Sequence, residues 1–188
     1  MRILFFDTET TGVPANYKAS YTDVNNWPRL VQLGYIVYDN GIEIISEECI
    51  IKPEGFVIPE QASKIHGITQ EMAEKGISLS AALYNFNKEL ESAELLIGHN
   101  ISFDLSILGC EYFRLTQANP LVGKSTYCTM LKSADLLKLP GRSWYKWPKL
   151  KELYQFLFNE PLAQTHTALD DIRQTAKCYF ELQKRGVL

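Results

Sequence analysis

An apolar run, residues 3–6, stands near the start of the chain, and two carboxylates follow it, Asp7 and Glu9. Apolar runs of this length that end in a polar, glycine-containing turn such as the one at Gly12 are typical of buried strands. Side chains alternate along a strand, so Asp7 and Glu9 point to the same side. Two acids crowded at the end of a buried strand repel each other, and a bound divalent cation would remove that conflict. A surface turn with two solvated acids is the alternative, and this stretch alone does not decide between them.

The rest of the hydrophobic pattern predicts an antiparallel hairpin followed by alternating helices and strands. Residues 30–38 and 42–51 are rich in β-branched and aromatic side chains, and they flank the turn sequence Asp39-Asn40-Gly41. Apolar residues at helical spacing and capping residues predict helices further along, and short apolar runs predict two more strands. The helices are predicted at 60–65, 69 onward, 78–93, 104–115, 129–137, 150–158 and 167–184, and the strands at 95–98 and 125–128. The polar segments 13–29 and 141–149 are predicted loops, and the first is a candidate lid over a site.

Composition limits the class of protein. A chain of 188 residues with 46% hydrophobic and 22% charged residues fits one domain spanning 1–188. No apolar run approaches the ~18 residues of a membrane span and no signal-peptide pattern is present, so we expect a cytoplasmic protein without a membrane partner. The four cysteines are scattered without a C-x-x-C pair, which predicts reduced, mostly buried thiols.

Charge is distributed unevenly. The net charge of −3 excludes a protein that coats nucleic acid by bulk electrostatics. Segment 124–151, however, holds seven basic residues and one acid, and Trp144, Tyr145 and Trp147 lie among them. That combination suits a phosphate backbone and unstacked bases, whereas the alternative is a solvated loop whose tryptophans pack on the core. The hypothesis is that Trp144, Lys146, Trp147 and Lys149 contact a nucleic-acid strand.

A second group of polar residues precedes the last predicted helix. Thr167 and Asp170 fit a capping pattern, which gives Asp170 a structural role. Asp171 is turned ~100° around the helix from Asp170 and can face the sheet. His166 lies just before the cap, and an imidazole titrates near neutral pH, so it could take a proton from a metal-bound water. The alternative for a lone histidine is a surface or core residue with satisfied hydrogen bonds.

Three motifs occur in a characteristic order along the chain. They are Asp7-Thr8-Glu9, His99-Asn100-Ile101-Ser102-Phe103-Asp104 and His166-Thr167-Ala168-Leu169-Asp170-Asp171. Together they resemble the exonuclease motifs of the DEDDh (DnaQ-like) family, which includes the epsilon proofreading subunit of bacterial DNA polymerase III and ribonuclease T. Gln32-Leu33-Gly34 and His66-Gly67-Ile68-Thr69 also resemble the family, so the similarity covers most of the chain.

The resemblance implies a fold and a chemistry. The fold would be α/β and ribonuclease H-like, with a mixed five-stranded sheet, leading antiparallel strands and helices on both faces. Two divalent cations, Mg²⁺ or Mn²⁺, would be held by Asp7, Glu9, Asp104 and Asp171, with His166 as general base. The implied reaction is 3'-to-5' hydrolysis of phosphodiester bonds, which releases nucleoside 5'-monophosphates. The expected partners are a nucleic acid with a 3' end, with DNA favoured and RNA open, and a polymerase or other protein in trans.

Substrate contacts are predicted from seven residues. These are Thr8, Thr10, Thr11, Gly12, His66, Asn100 and Phe103. Gly12 would permit close approach of the terminal nucleotide. Phe103 would wedge against a base or, alternatively, pack in the core, and His99 is expected to order its loop rather than bind metal.

Two other functions stay open from the sequence. One is a binding module that keeps the fold without turnover, and the other is a metal-dependent phosphoesterase that acts on nucleotides. Because none of the five catalytic positions is lost, the exonuclease is the favoured interpretation.

Overall fold

The sheet is mixed and runs through the middle of the molecule. The computed structural model describes residues 1–142, 144–162 and 168–187. Within them the strands are β1 (Arg2–Thr10), β2 (Leu30–Asp39), β3 (Ile42–Ile50), β4 (Leu95–Gly98) and β5 (Thr126–Cys128). Their order is β3-β2-β1-β4-β5. β2 is antiparallel to both β1 and β3, whereas β4 is parallel to β1 and β5 is parallel to β4. The leading antiparallel strands and the mixed five-stranded sheet are therefore confirmed.

The helices begin and end where local chemistry dictates. They are α1 (Glu60–His66), α2 (Gln70–Glu74), α3 (Leu79–Ser92), α4 (Ile101–Thr116), α5 (Thr129–Leu137), α6 (Leu150–Phe158) and α7 (Ala168–Lys184). Gly67 ends α1 in the left-handed conformation, with φ of 76°, and Thr69 caps α2 by accepting a hydrogen bond from the Met72 N–H. Ser78 caps α3 in the same way. The predicted elements therefore agree with the observed ones to within a few residues.

Strand β1 is buried on both faces because helices cover each side of the sheet. Leu4 and Phe6 lie in the core cluster that includes residues of α3 and α4. Ile3 and Phe5 lie in the opposite cluster, which includes residues of α7. This two-sided burial explains why the strand is a continuous apolar run rather than an alternating one.

Segment 13–29 is a loop, as predicted, but its second half is fastened to α4. The Arg114 guanidinium donates hydrogen bonds to the carbonyls of Val24 (2.6 Å) and Trp27 (2.8 Å). Trp27 is 4% exposed and belongs to the core. These contacts tie the end of the loop nearest β2 to the fold.

The cysteines are in the reduced, mostly buried state that the sequence predicts. All four cysteines are free thiols, and three of them are buried. Across the part of the chain that the structure describes, no helix has the length and apolar character needed to cross a bilayer.

Candidate active site

The carboxyl end of β1 carries the first two acids of the site. Asp7 pairs in register with Gly34 of β2. A Cβ atom at Gly34 would lie 2.9 Å from Cδ1 of Ile172 and 3.0 Å from Cβ of Ala168. The first turns of α7 therefore pack directly on the backbone beside Asp7, and the glycine at position 34 leaves room for this approach. As a result, the helix that carries Asp171 starts next to Asp7.

Asp104 reaches the same edge from the other face of the sheet. It lies in the first turn of α4 and is 3% exposed. Its Oδ1 atom accepts hydrogen bonds from the backbone N–H (3.1 Å) and the hydroxyl (2.6 Å) of Thr8. Because Thr8 lies between Asp7 and Glu9, its side chain points to the opposite face, toward α4.

The Thr8 side chain has a structural partner. The sequence predicts that the backbone and side chain of Thr8 lie where the terminal nucleotide binds, and in the structure the hydroxyl is buried and bonded to Asp104. Strand alternation is the physical reason, since the residue between two acids on one face must belong to the other face. Thr8 thus orients Asp104.

Four carboxylates from three elements influence one another electrostatically. Burial raises the pKa of Asp7 well above its usual range, and the charges of Asp104, Glu9 and Asp171 raise it further. Burial, followed by the charge of Asp171, raises the pKa of Glu9 to about 7. Burial likewise raises the pKa of Asp104 to about 7, although the hydrogen bonds from Thr8 oppose this shift. The structure therefore brings all four predicted acids to one edge of the sheet.

The chemistry of this donor set fits a hard divalent cation. All four side chains offer oxygen, which Mg²⁺ and Mn²⁺ prefer, and repulsion between the carboxylates helps to raise the pKa values of Asp7 and Glu9. Among residues 1–142, 144–162 and 168–187, no three His, Cys, Asp or Glu side chains are close enough together to form a ready-made ligand group. Mutual repulsion and the engagement of Asp104 with Thr8 both favour such a spread arrangement. The acids are thus near one another without being drawn onto one point.

The predicted base lies outside the described residues. His166, like the predicted capping residue Thr167, belongs to segment 163–167. In the sequence His166 precedes the first residue of α7, Ala168, by two positions. Asp170 and Asp171 are both in the first turn of α7.

The predicted nucleotide-binding segment continues β1 past a bulge. The Thr10 hydroxyl donates to the Gly12 carbonyl (2.6 Å), so it is engaged within the segment. Thr11 exchanges hydrogen bonds with Arg29: its N–H donates to the Arg29 carbonyl, and its hydroxyl accepts from the Arg29 N–H, both at 2.9 Å. Gly12 has φ of 153° and open space where a Cβ would lie. The surface at Gly12 is therefore open to close approach of a ligand.

His66, Asn100 and Phe103 surround this edge in different ways. His66 is buried, and its Nδ1 accepts a hydrogen bond from the Ile68 N–H (3.0 Å). Burial lowers the pKa of His66, and the Thr10 backbone partly opposes this shift. Asn100 is the residue before α4 and has φ of 76°. Phe103 is partly buried and packs on the core, with its ring 6.4 Å from that of Trp27. Packing on the core therefore covers part of the Phe103 side chain, as the core alternative expects.

His99 orders two connections, as expected from the sequence. Its Nδ1 lies 3.0 Å from the Thr129 hydroxyl, and its Nε2 lies 2.9 Å from the Pro148 carbonyl. Burial lowers the pKa of His99, although the Pro148 carbonyl opposes the shift. The histidine therefore links the start of α4 to the segment before α6.

Sequence reasoning missed a buried acid, Glu111 of α4. It is 1% exposed, and its Oε1 accepts from Arg29 Nε (2.9 Å), Arg114 (3.0 Å) and the Leu30 N–H (2.9 Å). Through Arg29 it holds the strand end that pairs with Thr11. The one signal in the sequence is the helical spacing of Glu111 and Arg114, which also describes ordinary exposed pairs.

The strand order, the helices on both faces and the acids at the end of β1 define the class as ribonuclease H-like. The chain belongs to the exonuclease family, because the model of that family matches residues 4–179. The resemblance to the DEDDh exonucleases is thereby confirmed.

Particular relatives agree with this membership. The chain is 28% identical over 186 residues to a PolC-type DNA polymerase III from Pediococcus pentosaceus, which covers 97% of this chain and 11% of that protein. It is 29% identical over 150 residues to DNA polymerase III subunit epsilon from Buchnera aphidicola, which covers 75% of this chain and 58% of that protein. The chain thus spans only part of the length of these relatives.

A solved structure shares the fold. Exonuclease I of E. coli, in a zinc-bound complex with single-stranded DNA, superposes with a TM-score of 0.75 at 19% identity, over 98% of this chain and 41% of that one. At this identity the similarity concerns the fold alone.

Proposed function

We propose that residues 1–188 form one exonuclease domain that hydrolyses phosphodiester bonds at the 3' ends of nucleic acid in a metal-dependent reaction. The products would be nucleoside 5'-monophosphates. One observation carries the proposal: Asp7, Glu9, Asp104 and Asp171 come from three elements to one sheet edge, where burial and the charges of the other three acids raise the pKa of Asp7. Ionised carboxylates at this density repel one another and lower the stability of the fold unless a bound cation neutralises them.

Each residue then has a distinct task. Two Mg²⁺ or Mn²⁺ ions held by the four carboxylates would supply charge stabilisation at the scissile phosphate and an activated water. Thr8 fixes the orientation of Asp104 through its hydroxyl. His166 takes the proton of the attacking water, because an imidazole titrates near neutral pH. Gly12 leaves the space in which the terminal nucleotide approaches the backbone.

DNA is the favoured substrate, with RNA as the second. The named relatives are a PolC-type DNA polymerase III and an epsilon subunit, and the structural neighbour is a complex with single-stranded DNA. These names also support a polymerase as a protein partner. Proofreading for such a partner would be the corresponding role in the cell.

Degradation of labelled strands tests the proposal. Single- and double-stranded DNA and RNA with a 5' label are incubated with Mg²⁺, Mn²⁺ or chelator. We expect a ladder that shortens from the 3' end with either metal and no product with chelator. His166→Ala should lower the rate by ~10²- to 10⁴-fold, the usual contribution of a general base. Asp170→Asn is the matched control. It removes the acid next to Asp171, the proposed metal ligand, and the variant should keep its activity.

Three outcomes would contradict parts of the proposal. A wild-type rate from His166→Ala would reject the assigned base. Early release of the 5' label as a mononucleotide, without labelled products of intermediate length, would reject the direction. Absence of product from every 3'-ended strand would favour the non-catalytic module or a phosphoesterase that acts on nucleotides.

A further inference from the structure

Two exposed indoles mark a surface that the proposed catalytic residues do not include. We call residues 139–149 the tryptophan segment; Ser143 is outside the described residues. Trp144 is 78% exposed and Trp147 is 64% exposed, whereas the third tryptophan, Trp27, is 4% exposed. Large aromatic side chains are costly to leave in water, so two of them in one short segment indicate a binding surface.

The backbone of the segment is built to hold these rings outward. Pro140 and Tyr145 form an antiparallel bridge, and the Lys146 N–H donates to the Leu139 carbonyl (3.0 Å). A Cβ at Gly141 would collide with the Trp144 carbonyl, so glycine is required for this tight turn. Trp144 therefore lies between backbone contacts at Gly141 and Tyr145.

The segment ends beside the start of α4, the helix that carries Asp104. Pro148, directly after Trp147, is buried, and its carbonyl lies 2.9 Å from His99 Nε2. His99 precedes Asn100, the residue before α4, and Asp104 is in the first turn of that helix. One hydrogen bond therefore connects the residue after Trp147 to the connection that leads into α4.

The charge around the rings is positive. Lys138, Arg142, Lys146, Lys149 and Lys151 are all exposed. One of them, Lys146, pairs with Glu152 at 2.5 Å. An apolar protein surface would be a poor match for this density of cations, whereas a phosphate backbone with unstacked bases complements both the charges and the rings.

We propose that the tryptophan segment is a stacking platform for the bases of an unpaired nucleic-acid strand whose 3' end enters the site. The inference rests on the proposed function for the direction of the strand, but strand binding itself requires no turnover. Trp147 lies next to the anchored Pro148 and stacks the base nearer the acids, and Trp144 stacks a base further away. Lys149 contacts phosphate, and Lys146 contributes less because Glu152 already pairs with it.

Intrinsic fluorescence provides the first test, because the protein holds only three tryptophans. Oligothymidylate of about 16 nucleotides is titrated in chelator, so that no strand is degraded. The wild type should be quenched, and the double variant Trp144→Phe with Trp147→Phe, which keeps only buried Trp27, should not. Unchanged wild-type fluorescence at saturating strand would overturn the platform.

Affinity measured with a labelled strand separates stacking from charge. Replacing Trp144 and Trp147 together by Ala should weaken binding by about a hundredfold, since each of the two stacked bases contributes a factor of about ten. Trp147→Phe should retain most of the affinity. The matched control is Tyr84→Ala. Tyr84 is an exposed aromatic residue of α3, and a lysine amine lies 4.5 Å from the centre of its ring. Circular dichroism checks that each variant is folded.

Salt and competitor complete the design. Lys149→Gln should lower the slope of log affinity against log salt by about 0.7, the value for one phosphate contact of a single strand, and Lys146→Gln should lower it less. Equal competition by a blunt duplex would reject an unpaired strand as the occupant. Affinity that the double alanine variant retains at every salt concentration would reject the tryptophan segment as the stacking platform.

Degradation assays distinguish this inference from the proposed function. The double alanine variant should degrade a strand of about 16 nucleotides more slowly than the wild type does, and the difference should shrink as the strand is shortened, because a shorter strand makes fewer stacking contacts. Quenching without any degradation would leave the platform standing and reject the exonuclease. Degradation without quenching would support the exonuclease and reject the platform.

Discussion

Removing one acid from the site should stabilise the metal-free protein, and Glu9→Gln is the cleanest case. The pKa of Glu9 is raised from 4.5 to about 7, first by burial and then by Asp171. A raised folded-state pKa means that the folded protein holds its proton more tightly than the unfolded chain does. The stability associated with this proton is therefore present at low pH and is lost as pH rises from the unfolded to the folded pKa.

The magnitude follows from the size of the shift. With pKa values of 4.5 unfolded and about 7 folded, linkage gives an ionisation cost of about 3 kcal/mol near pH 8 and of about 1 kcal/mol or less near pH 5. Glu9→Gln removes this cost while keeping the shape of the side chain. For a chain of this size the gain near pH 8 corresponds to a rise in Tm of roughly 5–10 °C.

Thermal unfolding in chelator at about pH 5 and pH 8 measures this effect. The variant should exceed the wild type mainly at the higher pH. Glu91→Gln, which changes an exposed acid of α3, is the control and should leave Tm unchanged at both pH values. Added Mg²⁺ or Mn²⁺ near pH 8 should raise the Tm of the wild type more than that of Glu9→Gln, because the metal relieves the repulsion that the variant has already lost. Equal Tm values for wild type and Glu9→Gln near pH 8 in chelator would refute the electrostatic argument.

Three further substitutions test how the site is held. Gly34→Ala should destabilise by ~1–3 kcal/mol through overpacking against α7 and lower activity in the same assay, whereas equal melting curves would show that α7 adjusts freely. Glu111→Ala should cost ~3–5 kcal/mol in urea unfolding, because it leaves Arg29 without its buried partner; a change near zero would mean that water replaces the pair. Thr8→Val should raise the Mg²⁺ concentration needed for half-maximal activity, because Asp104 loses its hydroxyl donor, and an unchanged metal titration would contradict that role.

The sequence predicts best the elements whose determinants are local. The hairpin between β2 and β3 depends on Asn40 and Gly41, which have φ of 49° and 83°, and these are residues that tolerate such values. β1 could be recognised as a buried strand because its burial on both faces produces a continuous apolar run. Asp7 and Glu9 could be placed on one face from alternation alone.

Features that depend on distant contacts could not be predicted. The bond between Thr8 and Asp104 joins residues 96 positions apart, and the contact of Glu111 with the Leu30 N–H joins residues 81 apart. A threonine between two acids and a glutamate in a helix look the same in sequence whether they are solvated or buried. The exposure of Trp144 and Trp147 was likewise open, because aromatic residues in a loop are as compatible with the core as with the surface.

The site joins both layers of the fold through three consecutive residues of one strand. Asp7 and Glu9 face α7, which approaches because position 34 is a glycine, and Thr8 faces α4, where it holds Asp104. A shift of β1 by one residue would exchange the two faces, and the acids would then point at α4 while the hydroxyl pointed at α7. Correct pairing of β1 with β2 is therefore a condition for the carboxylates to gather. The same register that buries Phe5 and Phe6 also assembles the site, so a mutation that weakens the sheet core should impair activity before it unfolds the protein.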